Sequence, residues 1–434
     1  MAGAAPSVTP GPSGYWPSPW PAEDGGPRRP GVPQAAPGFA VAPGAQLAVT
    51  TRATQMSTMT VLGAPGEVFL LTHTALRARF GLATTARVDR IDPVSLRTIA
   101  QSPALPGGPM WPGGMAVHAN GDLYVVYGRW AHRLDRQCRL QASLRLPLNL
   151  PYNSFVLLPN GLLVTKNLSE TEPARLTVID PETMAPACAD IICPEASIAR
   201  LSADGDTLYV VGVESLFRYR WDGATLVFDA DWRCDYTSGT AQTHGWDVVI
   251  AAGSAWFMDN GRHRYRTSMI GRGVSATPNR LIRVGLHDAA DREAVAVSGL
   301  PCGSITNPPL VDPARRIVVG YDSANRVLAA WRFGAQLTPL WRKDGIGAAS
   351  HMLLDPASGQ IVTNDYAPRR GEAVVVLDIA TGAECARAIV GGLLQGVVFP
   401  AIGWDRDIYW CSMTRLARIS AACTPAPHGA DGPG

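Results

Sequence analysis

GMAVHANGDLYVVY, residues 114–127, places two short apolar runs on either side of an Asn-Gly pair. Asn-Gly is a hairpin signal because both residues tolerate the positive φ angles of a tight β-turn. The same pattern returns at NSFVLLPNGLLVTK (153–166) and at SIARLSADGDTLYVV (197–211). The turn glycines at 121, 161 and 205 are 40 and then 44 residues apart. A hairpin that recurs at this spacing indicates a repeat architecture.

Eight such hairpins define eight repeat units, numbered here in chain order. They lie at 57–71, 114–127, 153–166, 197–211, 246–259, 307–320, 351–364 and 396–410. A third β-rich run follows each hairpin, as in RLTVIDPET (175–183), and a weaker fourth run usually follows that, as in LQASLRL (140–146). Four short strands per unit predict an all-β fold, a β-propeller of eight four-stranded blades. Seven blades is the alternative, if one of the longer units is misread.

The last unit contains three strands before the chain turns rich in Thr, Pro and Gly. The segment QLAVTT (46–51) can supply its missing outer strand, which would pair the two chain ends and close the ring. We therefore expect an N-terminal arm at 1–43, a propeller domain at 44–422 and a disordered tail at 423–434.

The arm at 1–43 contains 11 prolines and 7 glycines. That composition cannot bury enough apolar surface to fold alone, which favours a loose tail. The arm also carries Tyr15, Trp16 and Trp20, and free tails seldom carry large aromatic residues. The alternative is therefore an arm that packs on the propeller.

Two motifs, VLDIATG (376–382) and VIDPET (178–183), resemble the repeat cores of quinoprotein-like and YVTN-type propellers. The resemblance implies a propeller over about residues 45–422. Quinoprotein dehydrogenases of that group carry an adjacent Cys-Cys pair and a Trp four residues after the Thr-Gly. Here no Cys-Cys occurs and Ala386 stands at the Trp position, so we expect no quinone cofactor.

Composition excludes several classes of protein. A net charge of +2 argues against nucleic-acid binding, and only two of the 38 cations, Lys166 and Lys343, are lysines. No apolar run of membrane-spanning length and no secretory signal occurs, so we expect a cytoplasmic protein with no membrane association. The eight cysteines form no CxxC motif and are expected to be reduced. Nucleotide-binding motifs are also missing.

Propeller geometry divides the loops between two faces. With strands A (innermost) to D in each blade, the D–A and B–C connections share one face, here named the loop face. The A–B and C–D turns share the other, the turn face. Units 1 and 5 carry long B–C insertions, at 73–86 and 260–279. Because long loops in compact domains are often binding loops, we assign function to the loop face.

The residues that begin each A strand should ring the channel mouth on the loop face. His244 and His351 occupy equivalent positions two units apart, and Glu195 lies one unit before His244. Histidine titrates near neutral pH, so we interpret these three as a general acid–base set. The alternative for each histidine is a structural, hydrogen-bonded side chain. Polar and aromatic residues expected to bind substrate are Trp111, Tyr152, Asn153, Trp246, Asn307, Gln395, Lys166, Asp259 and Asp365. For the two aspartates, the structural alternative is local capping of loops.

Three hypotheses for function remain open. The first is an enzyme that acts on a small apolar metabolite at the channel mouth by cofactor-independent acid–base chemistry, as a lyase, isomerase, cyclase or hydrolase. The second is a noncatalytic propeller that binds a protein partner or a ligand. The third is a metal-dependent oxygenase or lactonase, with His244, His351 and Glu195 as a two-histidine, one-carboxylate site.

Overall fold

A computed structural model describes residues 14–34, 38–78, 80–264 and 271–421. Apart from one 3₁₀ turn at Glu23–Gly25 and one helical turn, α1, at Ala75–Ala78, the regular secondary structure of the described part consists of β-strands. No described helix has the length and apolar character to cross a bilayer. Of the predicted arm at 1–43, residues 14–34 and 38–43 are described, and residues 1–13 and 35–37 are not. The predicted tail at 423–434 lies entirely outside the described residues.

The strands of the first four units follow the predicted hairpins in chain order. They are β1 (Leu47–Leu62), β2 (Val68–His73), β3 (Thr85–Ile91), β4 (Thr98–Gln101) and β5 (Leu105–Pro106) in unit 1; β6 (Gly114–Val117), β7 (Leu123–Tyr127), β8 (Trp130–Leu134) and β9 (Leu140–Arg145) in unit 2; β10 (Tyr152–Leu157), β11 (Leu163–Asn167), β12 (Pro173–Asp180), β13 (Ala185–Pro186) and β14 (Ile191–Ala196) in unit 3; β15 (Ser202–Asp204), β16 (Thr207–Val211), β17 (Ser215–Trp221) and β18 (Leu226–Asp235) in unit 4.

The remaining units repeat the arrangement. They contain β19 (Val249–Ala251), β20 (Ser254–Met258), β21 (His263–Arg264), β22 (Arg272–Gly273), β23 (Arg280–Gly285) and β24 (Arg292–Ala296) in unit 5; β25 (Leu310–Asp312), β26 (Ile317–Asp322), β27 (Val327–Arg332) and β28 (Thr338–Asp344) in unit 6; β29 (Leu353–Asp355), β30 (Gln360–Ala367), β31 (Gly371–Asp378) and β32 (Glu384–Ile389) in unit 7; β33 (Ala401–Ile402), β34 (Asp407–Cys411) and β35 (Met413–Ala421) in unit 8.

Each unit is an antiparallel sheet read from its first strand outward. Units 2, 4, 6 and 7 each form a four-stranded sheet in sequence order, and unit 5 does so with β19, β20, β23 and β24. Strands β21 and β22 form a separate two-stranded sheet inside the unit 5 insertion. In unit 3, β14 pairs with β12 beside the short β13. First strands of neighbouring units contact one another, for example β19 with β15 and β25.

Strand β1 pairs with strands of both the first and the last unit. Its first half pairs with β35, from Leu47 opposite Ala421 to Ala53 opposite Arg415. Its second half pairs with β2, from Met59 opposite Leu71 onward. A change of register separates the halves near Met56, which has a positive φ of 50°. One eight-stranded sheet therefore joins the first and last units.

Burial follows the position of each strand within its sheet. The hairpin strands β6 and β7 are buried throughout, whereas β9 and β24 alternate between exposed and half-buried residues as outer strands do. Apolar side chains pack between neighbouring sheets, as Val164 of unit 3 does with Leu208 and Val210 of unit 4. The cores therefore lie between units, and each unit depends on its neighbours for burial.

The described part of the arm packs against the sheets, which is the second of the two expected alternatives. Trp20 is fully buried, and its carbonyl accepts a hydrogen bond from Leu62 N–H at 2.8 Å. Tyr15 is also buried, and its hydroxyl accepts from Leu157 N–H at 2.8 Å. The interpretation as a loose tail is therefore wrong for these residues, since hydrogen bonds from the sheets supply the partners that the arm alone lacks.

The arm follows the turn-face ends of the first strands from unit to unit. Val117 donates to Pro21 O in unit 2, Ala203 to Pro27 O in unit 4 and Ile250 to Arg28 O in unit 5, at 2.8 to 3.0 Å. In unit 7, Leu354 donates to Gly31 O at 2.7 Å. A single segment thus contacts the inner ends of several sheets on the turn face.

Candidate functional site

The 3₁₀ turn of the arm carries charged side chains into the interior between the sheets. Arg29 is 3% exposed, and its guanidinium donates to Asp24 Oδ2 at 2.8 Å and to Glu23 Oε2 at 2.9 Å. It also donates to Leu201 O at 2.9 Å and to Ser154 Oγ at 3.2 Å. Arg29 therefore links the turn to the first strands of units 3 and 4.

Two further charged residues from the sheets complete this group. Arg200 donates its backbone N–H to Asp247 Oδ1 at 2.7 Å and its guanidinium to Oδ2 at 3.2 Å. The guanidinium lies over the ring of Phe399, 4.4 Å from its centroid. Asp247 is fully buried and also faces Arg29, with 4.0 Å between Nη1 and Oδ2. Units 4, 5 and 8 thus meet the arm at one point.

His351 of unit 7 joins the same group. Its Nδ1 lies 2.7 Å from Asp24 Oδ1, and its ring lies 4.1 Å from that of Phe399. Within the described part of the chain, its Nε2 has no hydrogen-bond partner. Burial lowers the pKa of His351, and the neighbouring Asp24 raises it by less. The pKa therefore lies below its ordinary value, and the imidazole is neutral at pH 7. We name the six residues the arm cluster: Glu23, Asp24, Arg29, Arg200, Asp247 and His351.

Two buried groups at or near the arm cluster titrate close to neutral pH. Burial raises the pKa of Glu23 to about 7, although Arg29 and Arg200 oppose the shift. Burial lowers the pKa of Lys166 to about 7, and its Nζ donates to Ser197 O at 3.1 Å. For Asp24, burial raises the pKa, but the contact with His351 and the charge of Arg29 outweigh it and lower the pKa. The site therefore combines permanent charges with groups that can change protonation.

The three residues predicted as an acid–base set have separate partners. Glu195 accepts backbone hydrogen bonds from Glu214 at 2.6 Å and Ser215 at 3.1 Å, and it also binds the Ser215 hydroxyl. These contacts hold the B–C turn of unit 4. His244 lies beside Gly261, and burial lowers its pKa to about 4. His351 contacts the arm instead, so the structure does not bring the three together.

Several predicted binding residues do lie at the loop-face end of the first strands. Trp111 stacks on Trp246, with 6.1 Å between ring centroids and 19° between planes. Asn307 donates to Ala349 O at 2.5 Å and to Val397 O at 3.1 Å, which connects units 6, 7 and 8. Gln395 donates to Gly347 O at 2.9 Å. The stacked tryptophans precede the first strands of units 2 and 5, so the stack joins loops of non-adjacent units.

Other predicted binding residues act in packing or in loop support. Tyr152 packs between units 2 and 3, and its hydroxyl accepts from Leu148 N–H at 3.3 Å. Asp259 holds Arg280 at 2.7 Å, while burial raises the pKa of Asp259 to about 6. Asp365 accepts from Gly347 N–H at 2.8 Å and pairs with Arg387. The side chain of Asn153 lies outside the described residues. Both aspartates bind groups 18 to 22 residues away, so their contacts join separate segments and are not local loop caps.

Sequence reasoning missed most of the arm cluster. Its arm residues come from PAEDGGPRRPG (21–31), the stretch of the arm in which charged residues concentrate. Asp247 follows Trp246, one of the predicted mouth residues, so a survey of every polar residue at that position could have found it. His351 was found, but its partner Asp24 lies 327 residues earlier (351 − 24).

The described residues offer no cluster of three His, Cys, Asp or Glu side chains with metal-ligand geometry. The two-histidine, one-carboxylate arrangement of the third hypothesis is therefore not assembled by His244, His351 and Glu195. Seven cysteines, all those in the described ranges, are unbridged, and Cys423 lies outside them.

Comparisons with known proteins address the fold. No family model matches the sequence, and no curated protein does so either. Among the solved structures, the chain is similar to one described as "Structure of Dos1 propeller". The TM-score is 0.58 at 10% identity, over 86% of this chain and 95% of that one. With the repeated four-stranded sheets, this similarity shows a β-propeller. It carries no information on activity, because 1037 solved chains match in this way and propellers host unrelated functions.

Proposed function

We propose that this chain is a noncatalytic interaction propeller of eight blades. In this proposal β1 closes the ring by completing the last blade and starting the first, and the eight-stranded sheet is two blades joined at that strand. The arm seals the channel on the turn face, and the loop face is left for a partner. The observation that carries the proposal is the arm cluster, since the Nδ1 of His351 lies 2.7 Å from a carboxylate oxygen of Asp24 in the chain's own arm.

The energetics of the arm cluster support a structural role. Glu23, Asp24, Arg29, Arg200 and Asp247 are each at most 5% exposed. Buried charges are stable only when paired, so each of these side chains depends on the others. Mutually dependent charges from the arm and from units 4 and 5, together with the imidazole of His351 from unit 7, hold the blades and the arm in register. That arrangement suits a rigid platform, whereas a substrate would have to break the ion pairs to enter.

The low lysine content allows a direct test of whether the channel is closed. Lys166 is 2% exposed and has a pKa of about 7, while Lys343 lies half-buried on an outer strand. Brief treatment of the folded chain with acetic anhydride at pH 8, followed by peptide mass spectrometry, compares the two amines in one sample. At that pH the Lys166 amine is mostly unprotonated and would react readily if it were accessible. We expect Lys343 to be acetylated and Lys166 to remain unmodified until the protein is denatured. Rapid acetylation of Lys166 would contradict a sealed channel.

An acid–base enzyme is the second candidate, and one observation favours it. Glu23 and Lys166 both have a pKa of about 7, and perturbed titratable groups concentrate at active sites. In addition, Glu23 Oε1 and His351 Nε2 are buried without hydrogen-bond partners in the described part of the chain. The acetylation experiment also tests this candidate. It would be favoured if acetic anhydride reached Lys166 in the folded chain, if no loop-face variant abolished that reaction, and if Asp24→Asn increased it.

A further inference from the structure

The loop face presents exposed apolar side chains together with arginines that have no carboxylate partner among the described residues. Unit 1 exposes Phe80 and Leu82 in its B–C insertion, next to the exposed arginines Arg77 and Arg87. Phe80 is 79% exposed, far more than a phenylalanine in a folded domain usually is. We name this group the unit 1 tip.

The same combination occurs at two other places on this face. In unit 7, Ile389 ends the outer strand and Leu393 follows it with 79% exposure, while Arg369 and Arg370 form the tip of the B–C hairpin. In unit 5, the exposed side chains are Val274, Leu300, Arg264 and Arg272. We name these groups the unit 7 tip and the unit 5 tip.

The arginines of the three tips are not neutralised within the chain. Among the described residues, no carboxylate lies within 4.0 Å of any of the six guanidinium groups. Neighbouring arginines behave differently, since Arg262 pairs with Glu170 at 2.9 Å. Exposed acids also lie on the loop face: Glu172 and Glu214 in the B–C connections of units 3 and 4, and Asp235 and Asp344 at the ends of the outer strands of units 4 and 6. The B–C connection of unit 3 reaches the unit 5 insertion through Glu170, so of the three tips the unit 5 tip has acidic neighbours in a contacting loop.

We infer that the loop face docks on an anionic lipid surface, with the three tips as its contact points, which replaces the sequence-based expectation of no membrane association. This inference rests on the proposed function, in which the loop face is the interaction face. Three separate tips on one face suit a flat target, whereas a folded protein partner usually meets one contiguous patch. Arginines bind lipid phosphates, and neighbouring apolar side chains enter the interface between headgroups and acyl chains. The chemistry required is that of a negatively charged phospholipid bilayer.

Vesicle co-sedimentation of the full chain tests the inference. Vesicles of phosphatidylcholine alone are compared with vesicles that also contain phosphatidylserine, at low salt and at raised salt. We expect binding to the anionic vesicles only, weakened by salt because salt screens exposed charges. No binding to anionic vesicles, or equal binding to neutral ones, overturns the inference and leaves an acidic protein surface as the occupant.

Substitutions at the tips separate specific docking from simple adsorption. Phe80→Ser with Leu393→Ser should lower vesicle partitioning at least about tenfold, as expected for losing two inserted apolar side chains. Arg369→Ala with Arg370→Ala should lower vesicle partitioning by roughly 25-fold, at about fivefold for each arginine. The matched controls are Val94→Ser and Arg97→Ala, both exposed in the C–D turn of unit 1 on the turn face, and they should leave partitioning unchanged.

Equal losses in tip and control variants would overturn the inference, since binding would then depend on net charge alone. The outcome is independent of the acetylation of Lys166. If Lys166 is protected and the chain does not bind vesicles, the inference of lipid docking is refuted and the proposed noncatalytic propeller stands. If the chain binds vesicles but Lys166 is readily acetylated, the proposed noncatalytic propeller is refuted.

Discussion

The two ends of the propeller channel use charge in opposite ways. On the turn-face side, Arg29 is buried and shared among Glu23, Asp24 and Asp247. On the loop face, Arg369 and Arg370 are exposed in a hairpin, with no acidic partner in the described ranges. Buried charges gain stability only from their partners, while exposed charges contribute little to stability and remain free to bind something else. The first end therefore stabilises the fold, and the second carries the exposed charges on which the proposed docking depends.

The largest expected effect distinguishes adjacent arginines of the arm. Arg29→Ala leaves three buried carboxylates without their shared cation and should lower the free energy of unfolding by about 3–5 kcal/mol. Arg28 pairs with Asp204 at the surface, and 60% of the Arg28 side chain is exposed. Arg28→Ala should therefore change the free energy of unfolding by at most about 1 kcal/mol. Urea denaturation of both variants measures the difference. Equal effects would mean that the arm cluster does not anchor the arm.

The second prediction concerns pH. The pKa of Glu23 is about 7 in the folded chain and 4.5 as a free side chain, so between these values the folded state binds more protons. Its contribution to stability is therefore fully present below pH 4.5 and is lost as pH rises to 7, by up to about 3 kcal/mol. His351, whose pKa is lowered, acts in the opposite sense below pH 6.5.

The difference between Glu23→Gln and the unchanged chain isolates the Glu23 contribution from that of His351. Relative to the unchanged chain, the variant should gain stability steadily between pH 4.5 and 7 in chemical denaturation. Glu172→Gln, an exposed substitution in unit 3, is the control and should run parallel to the unchanged chain. If the stability of Glu23→Gln also changed with pH in parallel with that of the unchanged chain, the pKa of Glu23 would not be raised in the folded state.

A smaller effect tests whether His351 is structural. Asp24→Asn and His351→Asn, alone and combined, form a double-mutant cycle for the contact at 2.7 Å. We expect each single variant to be destabilised and the coupling free energy to be about 1–3 kcal/mol. Catalytic groups are often held at the expense of stability, so a stabilised His351→Asn would favour the enzyme.

The smallest effect is expected on the loop face. Phe80→Ser and Leu393→Ser remove side chains that are 79% exposed, so each should change the free energy of unfolding by less than about 0.5 kcal/mol. Thermal unfolding of both variants provides the measurement. A large loss of stability in either would mean that the residue packs within the fold and is not free for docking.

The hairpins were predictable because their signals are local. Asn120-Gly121 and Asn160-Gly161 form the turns expected of them, with φ of 91° and 88° at the glycines. The third run of each unit also pairs where it was expected, as β12 does with β11. Side-chain period and turn chemistry act over a few residues, so the order of strands within a sheet can be read along the chain.

The candidate site was predictable only in part. Trp111 and Trp246 were both expected at the mouth, and they stack there. Glu195 was expected beside His244, but backbone N–H groups of its own unit satisfy it. Periodicity indicates which strand position a residue occupies, but it does not indicate how its side chain reaches a partner.

The sequence alone determined the repeat, the strand order within each unit and the face that carries the long insertions. Only the tertiary structure decided that the Pro- and Gly-rich arm packs, and that Asp24 meets His351 and Arg29 meets Leu201 O. The arm has no core of its own, so its conformation depends on hydrogen bonds offered by several sheets at once. Pairings of that kind exist only after the sheets have assembled, because they join residues that are far apart in the chain.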